Sequence, residues 1–425
     1  MVAPIGPLVP HGYLPRVADV QVSAALDSAP IVVIEGVKGC GKTWTGLRHA
    51  QSQVQLLDDA AARQGAEIVP RRALEGPRPR LVDEWQIVPS IWNTARHVVD
   101  EGRDVGCFIL TGSAQPPDDI TRHSGAGRVR RVRMRPMSLM ESGESDGSVS
   151  LGSLLDGGPC DAAAPSVTVP EMAEILCRGG WPRNLSRPAS VAQELLESYL
   201  DEMARVDLPA ASGTRHDPAR VRRLLVSLGR HTSTTASLST LARDVAGEPP
   251  LSWNATANYL DALERVFMVE DLPVWPARLR SRATLQQSLK RHFADPSLAA
   301  AVLAATPNRL LDELETLGLL FESLVIRDLR VYAAANQAEV FHWRTSYGDE
   351  LDAIIERRDG SWLPVEVKLG ATRVDDAARS LTKTCATIDA GERAAPVAKL
   401  VVTATGYGYR RPDGVSVVPI TALGP

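Results

Sequence analysis

Short apolar runs that end in small or polar residues recur in the first third of the chain. Residues 31–34 are Ile-Val-Val-Ile, residues 81–84 are Leu-Val-Asp-Glu, and residues 107–113 are Cys-Phe-Ile-Leu-Thr-Gly-Ser. Such runs, rich in β-branched residues, predict strands buried on both faces. Helical stretches separate them, and this alternation predicts a parallel α/β sheet that binds ligands at the carboxyl ends of its strands.

The middle of the chain is predicted to be helical. A Ser-, Gly-, Asp- and Pro-rich stretch at 141–165 marks a domain edge, and residues 171–210 form helices with a break at 178–182. Three further helices, followed by a wing at 267–274, resemble a winged helix; their residues are 218–229, 237–245 and 254–266. The third helix carries Asp261 and Glu264 and little positive charge, so a packing module stays open beside a DNA reader.

The tail changes period again. A helical pattern over 319–329 is followed by strand patterns at 340–344, 362–368 and 399–403. The predicted fold class is therefore α/β, with a P-loop NTPase parallel sheet domain, a helical and winged-helix region, and an α/β C-terminal domain. The predicted boundaries are 1–150, 151–212, 213–300 and 301–425.

The first buried run leads into Gly36-x-x-x-x-Gly41-Lys42-Thr43, the pattern of a phosphate-binding loop. Glycines let the backbone approach a phosphate closely, and the freed N–H groups and following helix N-terminus cradle an anion. Lys42 is expected to reach the β- and γ-phosphates, and the Thr43 hydroxyl to ligate Mg²⁺. The residues predicted to contact ATP are Gly36, Val37, Lys38, Gly39, Cys40, Gly41, Lys42, Thr43, Trp44, Asp83 and Ser113.

Two carboxylates end the second buried run. A P-loop enzyme needs one acid to hold Mg²⁺ and another to polarise the attacking water, and Asp83 and Glu84 fit these roles in that order. Thr111 or Ser113, at the end of the third run, is expected near the γ-phosphate as a polar sensor. A simple strand-ending turn stays open there.

Arginines supply two further candidate roles. Arg122 and Arg128 flank a Gly-rich hinge, and either is a candidate arginine finger, in cis or from a neighbouring subunit. The Arg-rich strand that follows could instead contact nucleic-acid phosphates or be solvated. Tyr13 and Arg16, in the leader before the first strand, are candidates for packing beside adenine.

The tail carries a second set of charged residues. Alternation along residues 362–368 places Glu366 and Lys368 on one strand face. Asp352 and Glu366 are hard oxygen ligands suited to Mg²⁺ or Mn²⁺, and Glu322 completes the shell from its helix. Lys368 is expected to position or activate a water beside that metal.

Composition narrows the setting. The chain has 425 residues, enough for several domains, and a net charge of −4, so a nucleic-acid surface would have to be local. Its five cysteines form no C-x-x-C pair, which indicates reduced thiols rather than disulfides or zinc sites. No apolar run approaches the roughly 18 residues of a membrane span, and no signal peptide is evident. A cytoplasmic protein is expected. Only six residues are Lys, so a Lys indicates a geometric or chemical role.

These motifs in this order resemble a family of prokaryotic AAA-type P-loop ATPases whose members carry a C-terminal domain of unknown function. The resemblance implies binding of ATP and Mg²⁺ and slow hydrolysis. The end of the chain is similar to the restriction-endonuclease-like fold with its PD-(D/E)xK site, in which Asp352, Glu366 and Lys368 occupy the matching positions. Leu351 stands where that pattern has proline.

Three functional hypotheses follow. The first is an ATPase whose nucleotide state controls a nuclease-like module that acts on DNA or another nucleic acid. The second is an ATP-dependent regulatory switch or DNA-binding protein with an inactive tail. The third, a small-molecule kinase, is disfavoured because it needs neither helical nor nuclease-like domains. AAA-type ATPases often form rings, which makes a homo-oligomer one hypothesis, but no feature of this sequence fixes a ring. No membrane partner is expected.

Overall fold

Segments from different parts of the chain group into two units in the computed structural model. The first comprises Met1–Pro136, Asp207–Arg215 and Ala262–Met268, and the second comprises Met137–Val206, His216–Asp261 and Val269–Pro425. The structure describes residues 8–102, 104–114, 125–163, 167–213, 216–245, 252–276, 289–345, 348–388 and 395–425.

The first unit is built on a parallel sheet, as the alternating apolar runs predict. Its elements up to residue 136 are α1 (Ala18–Leu26), β1 (Ile31–Glu35), α2 (Lys42–His49), β2 (Ser52–Gln55), α3 (Ala60–Ile68), β3 (Arg80–Asp83), α4 (Ser90–Asp100), β4 (Phe108–Gly112) and β5 (Val129–Arg133). Among the described residues the strand order is β2-β3-β4-β1-β5, and every pair is parallel. The carboxyl ends of β1, β3 and β4 therefore meet at one edge.

Burial explains why these short runs become central strands. All of β4 and the first four residues of β1 are buried, so their β-branched and aromatic side chains pack on both faces of the sheet. One face rests on α4, whose Ile91, Trp92 and Ala95 are buried. The apolar runs at 31–34 and 107–113 are thus the strands that the sequence predicts.

Helices follow from residue 137 to residue 313. In chain order the elements are α5 (Leu139–Ser142), β6 (Val149–Ser150), α6 (Leu151–Leu155), α7 (Val169–Arg178), α8 (Ala189–Glu202), α9 (Leu208–Ser212), α10 (Pro218–Arg230), α11 (Leu238–Asp244), α12 (Trp253–Arg265), α13 (Pro296–Val302) and α14 (Pro307–Asp312). Local sequence sets several starts: α7 begins at a capping box of Thr168 and Glu171, and Ser237 caps α11. α9 and the end of α12 group with the first unit.

The tail forms a second α/β layer. The 22-residue helix α15 (Leu314–Ala335) precedes β7 (Ala338–Arg344), β8 (Glu350–Arg357), β9 (Trp362–Lys368), α16 (Val374–Thr387), β10 (Lys399–Thr403), β11 (Tyr409–Arg410), β12 (Val415–Pro419) and β13 (Leu423–Gly424). The described strands of its main sheet are ordered β11-β12-β10-β9-β8-β7. β7, β8 and β9 pair antiparallel, whereas β9, β10 and β12 pair parallel.

The observed elements agree with the predicted fold class: a parallel α/β domain, then a helical region, then an α/β sheet domain. Helices α10, α11 and α12 lie where three helices are predicted, and β9 and β10 lie where strands are predicted. The four domain boundaries and the winged-helix assignment stay predictions. None of the helices that the structure describes is long and apolar enough to cross a membrane.

A buried arginine ties the second unit together. Arg327 of α15 contacts Asp295 Oδ2 through Nη1 at 2.7 Å and its neighbour Asp328 through Nε at 2.8 Å. All three residues are at most 4% exposed. The two carboxylates also accept backbone N–H groups, Asp295 from Gly180 and Asp328 from Leu139. This network therefore links α15 to the start of α13, to the start of α5 and to the loop after α7.

Replacing Arg327 with Met is expected to lower the free energy of unfolding by about 3–5 kcal/mol, because Asp295 and Asp328 would stay buried without their cation. Urea denaturation followed by circular dichroism measures the change. Arg309→Met is the matched control, since Arg309 lies 3.3 Å from Glu313 on an exposed helix surface. Its effect is expected to stay within about 0.5 kcal/mol. Equal decreases in the free energy of unfolding for both variants would contradict a stabilising role for the buried Arg327 ion pairs.

Candidate nucleotide site

The predicted phosphate loop joins β1 to α2 at the carboxyl edge of the first sheet. Gly39 and Gly41 have φ of 85° and 106°, in the left-handed region that favours glycine. Gly36 is needed for a different reason: a Cβ placed on it would lie 2.1 Å from the carbonyl oxygen of Met134. The loop backbone therefore takes a path that side chains at these positions would obstruct.

Lys42 begins α2 and lies within the loop. It is 5% exposed, and its Nζ donates a hydrogen bond to the carbonyl oxygen of Val37 at 3.0 Å. The ammonium group is therefore placed at the loop that is predicted to receive phosphates. A buried positive charge beside backbone N–H groups and a helix N-terminus favours an anionic ligand.

Asp83, the last residue of β3, collects two hydroxyl donors. Thr43 Oγ1 donates to Asp83 Oδ1 at 3.0 Å, and Thr111 Oγ1 of β4 donates to the same oxygen. Burial raises the pKa of Asp83, and the two hydroxyl contacts counter part of that shift. The Thr43 hydroxyl and the Asp83 carboxylate are hard oxygen ligands of the kind Mg²⁺ prefers, so the residues present fit this metal.

Glu84 follows Asp83 in a left-handed conformation, with φ of 53°. A non-glycine residue in this region is uncommon and turns the side chain away from the direction that a continuing strand would give. Glu84 Oε2 accepts a hydrogen bond from Ser113 Oγ at 3.0 Å and another from Gln86 Nε2. The carboxylate is thereby fixed at the same sheet edge as Asp83. Sequence reasoning missed Gln86, although it lies two residues after the acidic pair.

The leader residues contact the loop from outside. Arg16 donates to the carbonyl oxygens of Cys40, at 2.7 Å, and Arg135, at 2.8 Å. The Tyr13 hydroxyl donates to Asp19 at 2.7 Å. Arg16 is 7% exposed, so it braces the loop backbone in this structure. Packing of Tyr13 and Arg16 beside adenine stays a prediction.

The other residues of the loop have different environments. Lys38 pairs with Asp207 at 3.0 Å, in the segment that groups with the first unit. Val37 and Cys40 are buried, and the Cys40 thiol lies 3.9 Å from the Met134 carbonyl oxygen. Trp44, on α2, is 46% exposed. Lys38 and Trp44 thus have exposed side chains, whereas Thr43, Asp83 and Ser113 are half-buried.

The candidate arginine fingers differ in placement. Arg122 lies outside the described residues. Arg128 precedes β5 and pairs with Asp100 of α4. Because Ile31 pairs with Val129 in parallel register, Arg128 lies at the amino end of the sheet, opposite the phosphate loop. It does not reach the loop of its own chain, so a finger role for it requires a second copy.

The tail residues converge in the second unit. Asp352 lies on β8, Glu366 and Lys368 lie on β9, and Glu322 lies on α15. Lys368 Nζ is 2.7 Å from Glu366 Oε1 and 3.9 Å from Asp352 Oδ2. Asp352 Oδ2 also accepts the Val367 N–H at 2.8 Å.

Two residues that the sequence did not single out complete this cluster. Lys290 Nζ lies 2.7 Å from Glu322 and 2.8 Å from Glu350. Burial raises the pKa of Glu322 to about 8 and that of Glu366 to about 7, and the Asp352 charge adds to both shifts. Within the described ranges, no group of three or more His, Cys, Asp and Glu side chains is arranged to hold a metal ion. The predicted metal role of Glu322, Asp352 and Glu366 thus lacks support here.

Three family models match successive parts of the chain. Residues 28–142 match an AAA domain, residues 169–309 match a domain of unknown function (DUF8612), and residues 317–423 match another domain of unknown function (DUF4143). The AAA match covers the sheet and phosphate loop described above, so this part of the chain is similar to an AAA domain and has a parallel α/β sheet resembling that of a P-loop NTPase. No curated protein matches the chain significantly.

The solved structures that the chain is similar to share little sequence with it. A Walker-type ATPase of Pyrococcus abyssi is 12% identical with a TM-score of 0.44, over 70% of this chain and 98% of that one. The replication initiator DnaA bound to AMPPCP and single-stranded DNA is 14% identical with a TM-score of 0.28, over 60% and 89%. The RuvB Holliday junction branch migration motor of Thermotoga maritima is 15% identical with a TM-score of 0.26, over 60% and 89%.

Replacing Gly36 with Ala is expected to weaken ATP binding about tenfold or more. The added Cβ would clash with the Met134 carbonyl oxygen, so the phosphate-loop backbone would have to shift away from it. Titration with a fluorescent ATP analogue measures the affinity. Gly65→Ala is the matched control: a Cβ there meets nothing within 4 Å, and Gly65 lies inside α3. It is expected to bind as the wild type does. Equal affinities for the two variants would contradict a tightly constrained loop.

Proposed function

We propose that the first unit is a Mg²⁺-dependent ATP hydrolase. The observation that carries this proposal is the hydrogen bond between Thr43 and Asp83, with Glu84 held beside them at the carboxyl edge of the sheet. A loop that binds phosphate needs only the glycines and Lys42. Hydrolysis also requires a hydroxyl and a carboxylate that hold the metal, and a second carboxylate that orients the attacking water.

Each residue has one task in this proposal. Lys42 binds the β- and γ-phosphates, and Thr43 and Asp83 hold Mg²⁺. The metal, when bound, neutralises phosphate charge during transfer. Glu84 orients the attacking water and accepts its proton. Ser113, predicted as a contact to the phosphate, acts here by positioning the Glu84 carboxylate, since its hydroxyl donates to that group.

A homo-oligomer fits the placement of Arg128. A cation that stabilises the transferred phosphoryl has to reach the loop, and Arg128 lies at the far end of its own sheet. We therefore propose that Arg128 serves as an arginine finger for the nucleotide bound by a neighbouring copy of the chain.

For the second unit we favour the switch hypothesis over a nuclease. Asp352, Glu366 and Lys368 are brought together as in a nuclease-like site, which supports nucleic acid as the partner class. Two ammonium groups, however, already form ion pairs with the carboxylates of that cluster. We propose that ATP turnover regulates binding of DNA or another nucleic acid by this unit, without cleavage.

Hydrolysis is tested with two substitutions. Lys42→Ala is expected to lower both ATP affinity and turnover about 10²-fold or more, because the loop loses its buried cation. Glu84→Gln is expected to keep ATP binding and to lower turnover about 10²–10³-fold, because the amide cannot accept the proton. Phosphate release measures turnover, and a fluorescent analogue measures binding.

Lys383→Ala, on an exposed surface of α16, is the control for these measurements and is expected to hydrolyse ATP at the wild-type rate. Wild-type turnover by Lys42→Ala would discard the proposed phosphate site. Loss of binding in Glu84→Gln would assign Glu84 a structural role instead.

The switch hypothesis is tested with DNA. Wild type, Asp352→Ala and Lys368→Ala are expected to leave supercoiled DNA equally intact with Mg²⁺ or Mn²⁺. Binding of labelled DNA by the wild type is expected to weaken as salt rises from 50 to 200 mM, because phosphate contacts release counterions. The affinity should also differ between the wild type and Lys42→Ala in the presence of ATP. Metal-dependent nicking that both tail variants abolish would restore the nuclease hypothesis, and absence of binding at 50 mM salt would exclude nucleic acid.

A further inference from the structure

Lys290 is a buried lysine whose backbone is fixed beside the tail sheet. It is 2% exposed, and it forms an isolated antiparallel bridge with Leu272, with hydrogen bonds of 2.7 and 3.1 Å in the two directions. A lysine is almost never fully buried unless it is paired. The bridge therefore fixes the backbone of Lys290. Because its side chain is buried, the ammonium group has to be paired with acidic groups inside the unit.

The partners are three carboxylates on two elements. Lys290 Nζ lies 2.7 Å from Glu322 Oε1 of α15, 2.8 Å from Glu350 Oε1 of β8 and 3.7 Å from Asp352 Oδ1 of β8. Of these, Glu322 and Asp352 are residues predicted from the sequence as ligands of a divalent metal. The ammonium group thus contacts oxygens of two of the three residues that the metal would need.

The opposite side of the cluster has its own cation. Lys368 Nζ lies 2.7 Å from Glu366 Oε1 and 3.9 Å from Asp352 Oδ2. Asp352 is therefore flanked by an ammonium group on each of its oxygens. A divalent cation binds carboxylate oxygens at about 2.0–2.6 Å, so it would have to displace at least Lys290 from contacts of similar length.

Displacing Lys290 would cost free energy. The ammonium group is a strongly hydrated point charge, and moving it within the buried cluster would separate it from Glu322 and Glu350 while water is still excluded.

Lysine is also rare in this chain: of the 47 Lys and Arg residues, only six are Lys. Two of the six lie in this cluster, which indicates that a compact cation rather than a planar guanidinium is required there.

We propose that Lys290 is a tethered cation that takes the position of a divalent metal in the nuclease-like cluster of the second unit. The carboxylates are held together by the chain's own ammonium groups, so this unit keeps the residue placement of a nuclease without loading Mg²⁺ or Mn²⁺. The inference deepens the proposed non-cleaving role of the second unit and is independent of ATP hydrolysis by the first.

The experiment measures Mn²⁺ binding to the full chain by electron paramagnetic resonance, without nucleotide. All proteins carry Asp83→Asn, which removes the carboxylate of the first site. The parent is expected to bind no stoichiometric Mn²⁺. Adding Lys290→Met, which keeps the length and removes the charge, is expected to raise Mn²⁺ affinity about tenfold or more, because the carboxylates lose their internal cation. Adding Asp352→Asn to that protein is expected to abolish the gain.

Lys383→Met in the same Asp83→Asn background is the control and is expected to leave Mn²⁺ binding at the parental level, because Lys383 lies on an exposed surface of α16. Unchanged Mn²⁺ binding in folded Lys290→Met, judged by circular dichroism, would overturn the proposal. If Lys290→Met fails to fold, the parent decides: stoichiometric Mn²⁺ binding that Asp352→Asn abolishes overturns the proposal, and its absence supports it. DNA nicking by the wild type would instead show that the proposed non-cleaving role has failed.

Discussion

The nucleotide site depends on the register in which β4 pairs with its two neighbours. Thr111 of β4 is opposite Ile34 of β1 on one side and opposite Asp83 of β3 on the other. Because all three strands run in the same direction, the loop that follows β1 and the carboxylate that ends β3 emerge side by side. A slip of one residue would turn Asp83 to the other face of the sheet and separate it from Thr43.

The two acidic clusters of the chain are held by different chemistry. Asp83 and Glu84 are held by neutral donors, namely the hydroxyls of Thr43, Thr111 and Ser113 and the amide of Gln86. Hydroxyl and amide donors fix a carboxylate without cancelling its charge, so an external cation still gains from binding there. The tail carboxylates are held by ammonium groups, which fix them and offset part of their charge. The same residue types therefore give one cluster whose carboxylates contact neutral donors and one whose carboxylates are already paired with lysines.

The sequence indicates local features well because they depend on neighbours in the chain. The loop between β1 and α2 is evident from its glycines and Lys42, and the strands are evident from their apolar runs. Some contacts between distant segments have no such signal. Nothing in the pattern around Lys290 indicates that it meets Glu322, 32 positions later, because pairing of charges across elements leaves no periodic signal. For the same reason, the pattern does not indicate that Arg16, a candidate for packing beside adenine, donates hydrogen bonds to the carbonyl oxygens of Cys40 and Arg135.

The buried ion pairs of the second unit cross the border between two matched family models. Asp295 and Lys290 lie within residues 169–309, whereas their partners Arg327 and Glu322 lie within residues 317–423. Neither segment is electrostatically self-sufficient, since each buries charges that the other neutralises. A chimaera that takes one segment from a distant relative would therefore fold only if the partner residues in the other segment were exchanged as well. The two segments are therefore expected to occur together in related proteins and to change in a correlated way at these positions.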